Sequence, residues 1–267
     1  MDAQLLLICA LTFVIHIVGT LAYAVRIAGV RTRRIAVSYA MFNILVLVSR
    51  TSNSFLGPFL AKRIESNIAH QVTRGLLADF RWLILSASLA TLLGALLIPT
   101  FQRMFSKAVE HFQVHRSIPK LFLHAVFKGG LSQFKDMAAL PKATNVTGAG
   151  ATRALSTRVV LLNIFATALW TVGVLASLYA GYMSPEVRVT SSTLSSIING
   201  VATILMFVFI DPQLSVMTDD AVEGRVSEPA YRRAIVWLVG SRLIGTLIAQ
   251  AFLLPAAACI AWVARAM

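Results

Sequence analysis

The 267-residue sequence is short of charge, of cysteine and of acids, and each shortage removes a class of protein. Charged residues make up 13% of the chain and hydrophobic ones 57%. A soluble domain carries about a quarter charged residues, so a single water-soluble core is excluded for want of polar surface to cover it. Cysteine occurs twice, as Cys9 and Cys259, both within apolar runs. That leaves no disulfide framework and no cysteine metal spacing; both read as small buried hydrophobes. Lys and Arg number 24 against 11 acids. No Gly-rich phosphate loop ending in Lys-Ser/Thr is present, so direct use of ATP is not expected. No carboxylate pair and no nucleophile–base set stands inside the apolar runs, so catalysis has little to rest on, and no cofactor is expected. His111 and His115 have the i, i+4 spacing of two metal ligands but lack a third nearby.

What the chain has is six long apolar runs, over residues 4–24, 35–61, 82–101, 159–183, 193–210 and 234–264. About 20 residues of helix cross a hydrocarbon core ~30 Å thick. The expected fold is an all-α polytopic membrane protein with six transmembrane helices in one integral domain, 1–267. The first run is not read as a signal peptide, although Ala22-Tyr23-Ala24 resembles a cleavage site. Its positive charges, Arg26, Arg31, Arg33 and Arg34, follow the apolar run instead of preceding it, the reverse of a signal peptide.

The positive charges also set a topology. With both termini outside, the three inner loops hold sixteen of the Lys and Arg residues and the outer segments six; Arg50 and Arg242 lie within spans. The excess of basic inner loops favours an N-out, C-out arrangement. The longest inner loop, 102–158, carries two amphipathic patterns. Met104, Phe105, Ala108, Val109 and Phe112 share one helical face, and Leu123, Phe127, Leu131, Phe134 and Ala138 repeat it. These are expected to be interfacial helices lying on anionic membrane lipids. Nucleic acid is not an expected partner, because no soluble basic domain exists to bind it. The sequon Asn145-Val146-Thr147 falls on the inner side. Three spans per half would permit an inverted repeat, but the sequence shows none.

The candidate functional residues interrupt these runs. Ser49-Arg50-Thr51-Ser52-Asn53-Ser54 places a charge and five polar side chains inside the second span. A charge there costs about 2.5–3.5 kcal/mol on insertion scales and is expected to face a bundle interior or a wet cavity. Asn43 lies two helical turns before Arg50 and Asn53 one turn after it, near the same face. Arg50 falls roughly 22 Å from the inner end of its span; the bland alternative is that it snorkels to the outer interface. Gly57-Pro58 is expected to break or kink this helix. Arg242 stands about 12 Å inside the sixth run, beside Ser241 and Gly245. Asn199 lies mid-way along the fifth run, and Arg26 just past the first. His16 reads as a neutral histidine hydrogen-bonded within the bundle. A planar guanidinium suits phosphate, so the expected site is a polar path with two basic stations. Its candidate substrate-binding residues are Arg50, Arg242, Asn43, Asn53, Ser49, Asn199 and Arg26.

Three stretches resemble the Amj family, the alternates to MurJ that flip lipid II in bacterial cell-wall synthesis. They are Met1-Asp2-Ala3-Gln4-Leu5-Leu6-Leu7-Ile8, Tyr23 to Arg34, and Asn43 to Asn53. By length and hydropathy the resemblance spans the whole chain. It implies a multi-pass protein of the bacterial cytoplasmic membrane that moves undecaprenyl-pyrophosphate-linked disaccharide-pentapeptide from the cytoplasmic to the outer leaflet. It transfers no residue roles, so the site residues rest on the physical reading alone. Two other classes stay open. One is a non-transporting interaction protein of the envelope machinery, in which the two arginines pair with acids of a partner helix. The other is a membrane enzyme acting on a polyprenyl phosphate, for which no cluster of acids or histidines is visible.

Overall fold

A computed structural model of the chain describes residues 2–70, 75–115, 136–141, 144 and 155–267. The described residues are helical, without strands, and contain six helices long and apolar enough to cross a membrane. They are α1 Ala3–Thr32, α2 Ile35–Ala69, α3 Leu76–His115, α4 Thr157–Met183, α5 Pro185–Val222 and α6 Glu228–Ala266. The chain is therefore a multi-pass membrane protein.

Each helix begins and turns for local reasons. Asp2 caps α1 by accepting the Leu5 N–H at 2.8 Å, and Ser156 and Ser227 cap α4 and α6 in the same manner. These side chains satisfy backbone donors left over at a helix start. α1 ends on Arg33, whose φ of 54° lies in the left-handed region; its N–H and that of Arg34 close back on Val30 and Gly29. α2 can start at once because Gly29 lets the backbone of Ile35 approach: a methyl on Gly29 would stand 3.1 Å from the Ile35 Cα. Ser38 Oγ then donates to the Val25 carbonyl across the hairpin at 2.9 Å.

Several helices run past the apolar limits read from the sequence. α2 continues to Ala69 straight through Gly57-Pro58, so the expected break does not occur. Four residues before the proline, the Ser54 hydroxyl turns to the Arg50 carbonyl; the helix loses one donor, at Pro58, and continues. α3 continues to His115. The face of Met104, Phe105, Ala108, Val109 and Phe112 is thus an extension of the third helix rather than a separate interfacial one, with Phe105 and Val109 buried and Phe105 edge-on to Phe42 of α2. The second amphipathic pattern, apart from Ala138, and the sequon lie outside the described residues. α5 continues past Asp211-Pro212, where the segment Asp211–Val222 begins with proline in its first turn. It is uneven, with a turn at Leu194 and one wide-turned stretch at Leu205–Ile210.

The packing repeats itself in a way the residue order does not show. α1 packs chiefly on α3 and next on α2; α4 packs on α6 and α5 about equally. α3 meets α6 between the two halves. α2 also reaches α4, and α5 also reaches α1 through its Asp211–Val222 end. Advancing every helix by three reproduces these neighbours. Even one close contact recurs: methyls on Gly94 of α3 and Gly245 of α6 would stand 2.9 and 2.8 Å from the Cβ of Thr20 in α1 and Thr167 in α4. Small residues let membrane helices approach and gain van der Waals contact. Because successive helices reverse direction, the two halves have opposite polarity.

Two apolar clusters mark the two ends of the bundle. Leu5 and Ile8, Leu60, Phe80, Ala176 and Leu253 pack at the end that carries both chain termini. Tyr23 and Ile27, Ile98, Leu214, Tyr231 and Leu238 pack at the end joined by the basic segment between α3 and α4. At the terminus end, Arg63 of α2 binds Asp2 at 2.7 Å and Asp79 of α3 at 2.8 Å, so it ties the first half together. Arg265 of α6 does the same for the second half through Glu186 at 3.1 Å and the Ser184 hydroxyl at 2.5 Å.

Candidate functional site

Among the described residues the middle of the bundle holds a band of buried polar side chains where α1, α4 and α6 meet. α1 contributes Thr12, His16 and Thr20, α4 contributes Asn163, Thr167 and Thr171, and α6 contributes Ser241, Arg242 and Thr246. Most are accounted for locally. Thr12, Thr20 and Thr171 donate to carbonyls one turn back on their own helices. Asn163 Nδ2 donates to the Leu238 carbonyl at 3.0 Å and to Ser241 Oγ at 2.7 Å, which stitches α4 to α6.

Arg242 is different. It lies on the buried face of α6, about 21 Å from the helix start at 1.5 Å per residue, and is 8% exposed. Its guanidinium lies against α1: a methyl on Gly19 would stand 2.5 Å from Nη2. Among the described residues it has no ion pair and donates no hydrogen bond, and Nε is sealed without a partner. His16 Nδ1 and Thr167 Oγ1 are likewise buried without a partner. The His16 ring and Tyr23, one turn to either side of Gly19, both lie within reach of the Arg242 charge.

The other expected site residues are placed elsewhere. Asn43, Arg50 and Asn53 do share a face of α2, and all three are exposed on it; Ser49 is half-buried. That face points away from the chain's own bundle, not into it. The reason is that α2 packs through Ser38, Met41, Phe42, Ser52, Leu56, Leu60 and Ile64; this seam leaves Arg50 on the outside. Arg26 is engaged: it pairs with Asp211 of α5 at 3.3 Å and lies over the Tyr39 ring, 5.3 Å from its centre. The contact joins the first half to the second at the loop end. Asn199 is half-buried, with Oδ1 pressed against Gly173 of α4 and no hydrogen-bond partner. Arg50, Arg242, Arg26 and Asn199 thus occupy separate positions rather than one pocket.

The sequence reading passed over Gly19 and Thr167, and gave His16 a satisfied core role. A signal was available. His16, Gly19, Thr20 and Tyr23 follow at i, i+3, i+4 and i+7, a narrow polar and small face inside an apolar span. Thr167 carries no such signal, because its neighbours Ala166 and Ala168 say nothing of which way it faces.

The bundle and its buried polar band can be set beside known proteins. The model of the family described as "Alternate to MurJ", Amj, matches residues 11–264. The chain belongs to the Amj family. It is 37% identical over 271 residues to the Lipid II flippase Amj of Bacillus subtilis (strain 168), covering 98% of this chain and 97% of that protein. No solved structure matches it. The family match reaches all six helices and includes every member of the polar band, among them His16, Thr167 and Arg242.

Proposed function

We propose that this protein is a lipid II flippase of the bacterial cytoplasmic membrane. It moves undecaprenyl-pyrophosphate-linked disaccharide-pentapeptide from the cytoplasmic to the outer leaflet. The near full-length identity to a protein named for that activity carries the reading. The loop end faces the cytoplasm, because the basic inner loops gather there, and both termini lie outside. The same basic loops contact anionic lipid headgroups.

The mechanism is alternating access, with the diphosphate handled by intramembrane arginines. A diphosphate cannot cross the hydrocarbon unaided, since an uncompensated charge there is too costly. Arg242 offers a cation inside the bundle with no carboxylate to neutralise it first. Arg50, with Asn43, Asn53 and Ser49, offers a second polar station on the outward face of α2, where a lipid-linked head can slide while its polyprenyl tail stays in the bilayer. Asn199 on α5 and Arg26 at the loop end extend the polar surface between the leaflets. Two halves of opposite polarity suit rocking about a central site. Neither ATP nor another cofactor takes part. Outward movement of an anion is assisted by an inside-negative potential, at about 2.3 kcal/mol per charge per 100 mV.

The test is reconstitution of the purified protein into liposomes with labelled lipid II in both leaflets. An impermeant quencher then follows the protected inner fraction. The expected result is protein-dependent loss of that fraction. Its persistence with folded protein, with and without an imposed potential or proton gradient, would overturn the reading.

A further inference from the structure

We propose that His16, Thr167 and Arg242 form one binding site for a phosphate oxyanion at the junction of α1, α4 and α6, with Gly19 as the gap that admits the guanidinium. The inference deepens the flippase reading and rests on it for the identity of the natural ligand, a lipid-linked diphosphate; the chemistry of the site stands without it.

The argument begins with an imbalance. A buried cation is tolerated when it is paired and hydrogen-bonded. Several less buried arginines have partners: Arg63 has two carboxylates, Arg225 has Asp220 and Glu223, Arg232 has Glu228, and Arg265 has Glu186; Arg188 and Arg233 have a sealed Nε without a partner but are only half-buried. Arg242, deeper than any of these, has none among the described residues. Two neutral polar groups with free capacity, the His16 Nδ1 and the Thr167 hydroxyl, are buried on the helices that flank it.

Geometry ties the three together. α1 and α6 close on one another where Gly19 meets the guanidinium, and His16 stands one turn from Gly19 on the same face of α1. α4 and α6 close where Thr167 meets Gly245, one turn from Arg242 on the same face of α6. Each free group therefore stands within about one helical turn of a contact that α6 makes at or beside Arg242. A guanidinium supplies a planar fork of donors for a phosphate, a threonine hydroxyl can donate once, and an imidazole whose Nδ1 carries the proton can donate from that atom. A carboxylate would satisfy Arg242 equally well in charge. The additional neutral donors, however, suit a ligand with more acceptor oxygens than a single carboxylate has.

Two sources could supply that oxyanion: a prenyl-linked diphosphate or free inorganic pyrophosphate. Full-length protein purified in detergent is titrated with farnesyl diphosphate and, separately, with inorganic pyrophosphate, and binding is read by thermal shift and calorimetry. Wild type is expected to bind farnesyl diphosphate. Arg242→Gln should weaken it about 10- to 100-fold, as loss of a bidentate charge-assisted contact does. Arg242→Lys, which keeps the charge and loses the fork, should fall between. Thr167→Val and His16→Phe should each weaken binding several-fold, and His16→Asn, with a donor near the Nδ1 position, should recover part of it. Arg242→Gln without ligand should melt no lower than wild type, because it removes an unpaired buried charge; a clear drop would mark a purely structural arginine and overturn the site. Pyrophosphate bound as tightly as farnesyl diphosphate keeps the site and makes it one for free anions. Wild type that binds neither, or binding unchanged in all these variants, overturns the site. In the latter case flipping of lipid II in the liposome assay would still stand, so the two readings fail separately.

Discussion

Arg242 and Arg50 look alike in the sequence, each a single cation in a run of apolar residues, and the structure treats them in opposite ways. Arg242 is enclosed by α1 and the body of α6, with unpaired donors around it. Arg50 stands exposed on the outer face of α2, among Asn43, Asn53 and Ser54, with no described residue covering it. The difference teaches that hydropathy locates an intramembrane charge along a helix but not around it. Burial depends on which neighbours the opposite face finds. On α6 the faces near Ser241, Arg242, Gly245 and Thr246 are small enough for α1 and α4 to close in; on α2 the packing seam passes Arg50 by. A buried unpaired cation is poised for a ligand, whereas an exposed one can reach water or headgroups by extending its stem.

That contrast can be broken or sharpened by experiment. The largest effect is expected from Arg242→Gln in the liposome assay, a loss of flipping of about 10- to 100-fold, the size expected for one charge-assisted contact to a diphosphate. Arg50→Gln should lower flipping too, but less, since its side chain is not desolvated. Equal losses would remove the distinction between the two positions, and unaffected flipping in both would discard the two-station path.

Gly19→Val comes next. Its side chain would occupy the guanidinium's space, and overpacking of a tight contact costs about 1–3 kcal/mol. The melting temperature in detergent should fall, and anion binding should fall with it; binding preserved at wild-type strength would show that Arg242 has another place to go.

A smaller effect concerns the Arg26–Asp211 contact, a partly exposed pair worth about 1 kcal/mol or less. If Arg26 is a tie between the halves, Arg26→Gln and Asp211→Asn should alter flipping similarly, and the exchange Arg26→Asp with Asp211→Arg should restore it in part. Restoration would separate this arginine from Arg242, whose role no exchange within the chain can rescue. Loss in Arg26→Gln alone, with Asp211→Asn silent, would instead return Arg26 to the substrate.

The smallest effect is a pH dependence at the terminus end. The Leu5 N–H, and after it the Arg63 guanidinium, hold the Asp2 carboxyl below its ordinary value of 3.8. A carboxylate with a depressed pKa stabilises the fold above its unfolded value, and that contribution is lost as pH falls through the folded value. Melting temperature should therefore decline slightly on acidification from about pH 5 toward pH 3, and Asp2→Ala should remove that part of the decline while costing about 0.5–2 kcal/mol as a lost helix cap.

Much of the molecule was legible from residue order. Six apolar runs of sufficient length fix six helices, because a backbone in hydrocarbon must satisfy its own hydrogen bonds and the helix does so locally. The membrane class and the positions of Arg50 and Arg242 along their helices follow from the same local rule, and so does the shared face of Asn43 and Arg50. Helix ends were less legible: α2, α3 and α5 extend past their apolar limits, since polar residues such as Lys62 and Glu65 continue a helix once it has emerged from the bilayer.

Only the tertiary structure decided what faces what. That α1 sets Gly19 against Arg242, that α4 turns Thr167 toward Gly245, and that the halves repeat their packing with opposite polarity are facts of contact between helices far apart in sequence. No local pattern encodes them, because a lipid-facing and a helix-facing apolar residue look the same in a hydrophobic run. The sequence by itself determined that this membrane protein has six helices long and apolar enough to cross the bilayer, with Arg50 and Arg242 along two of them. The packing of small residues between α1, α4 and α6 determined which of those charges lies inside.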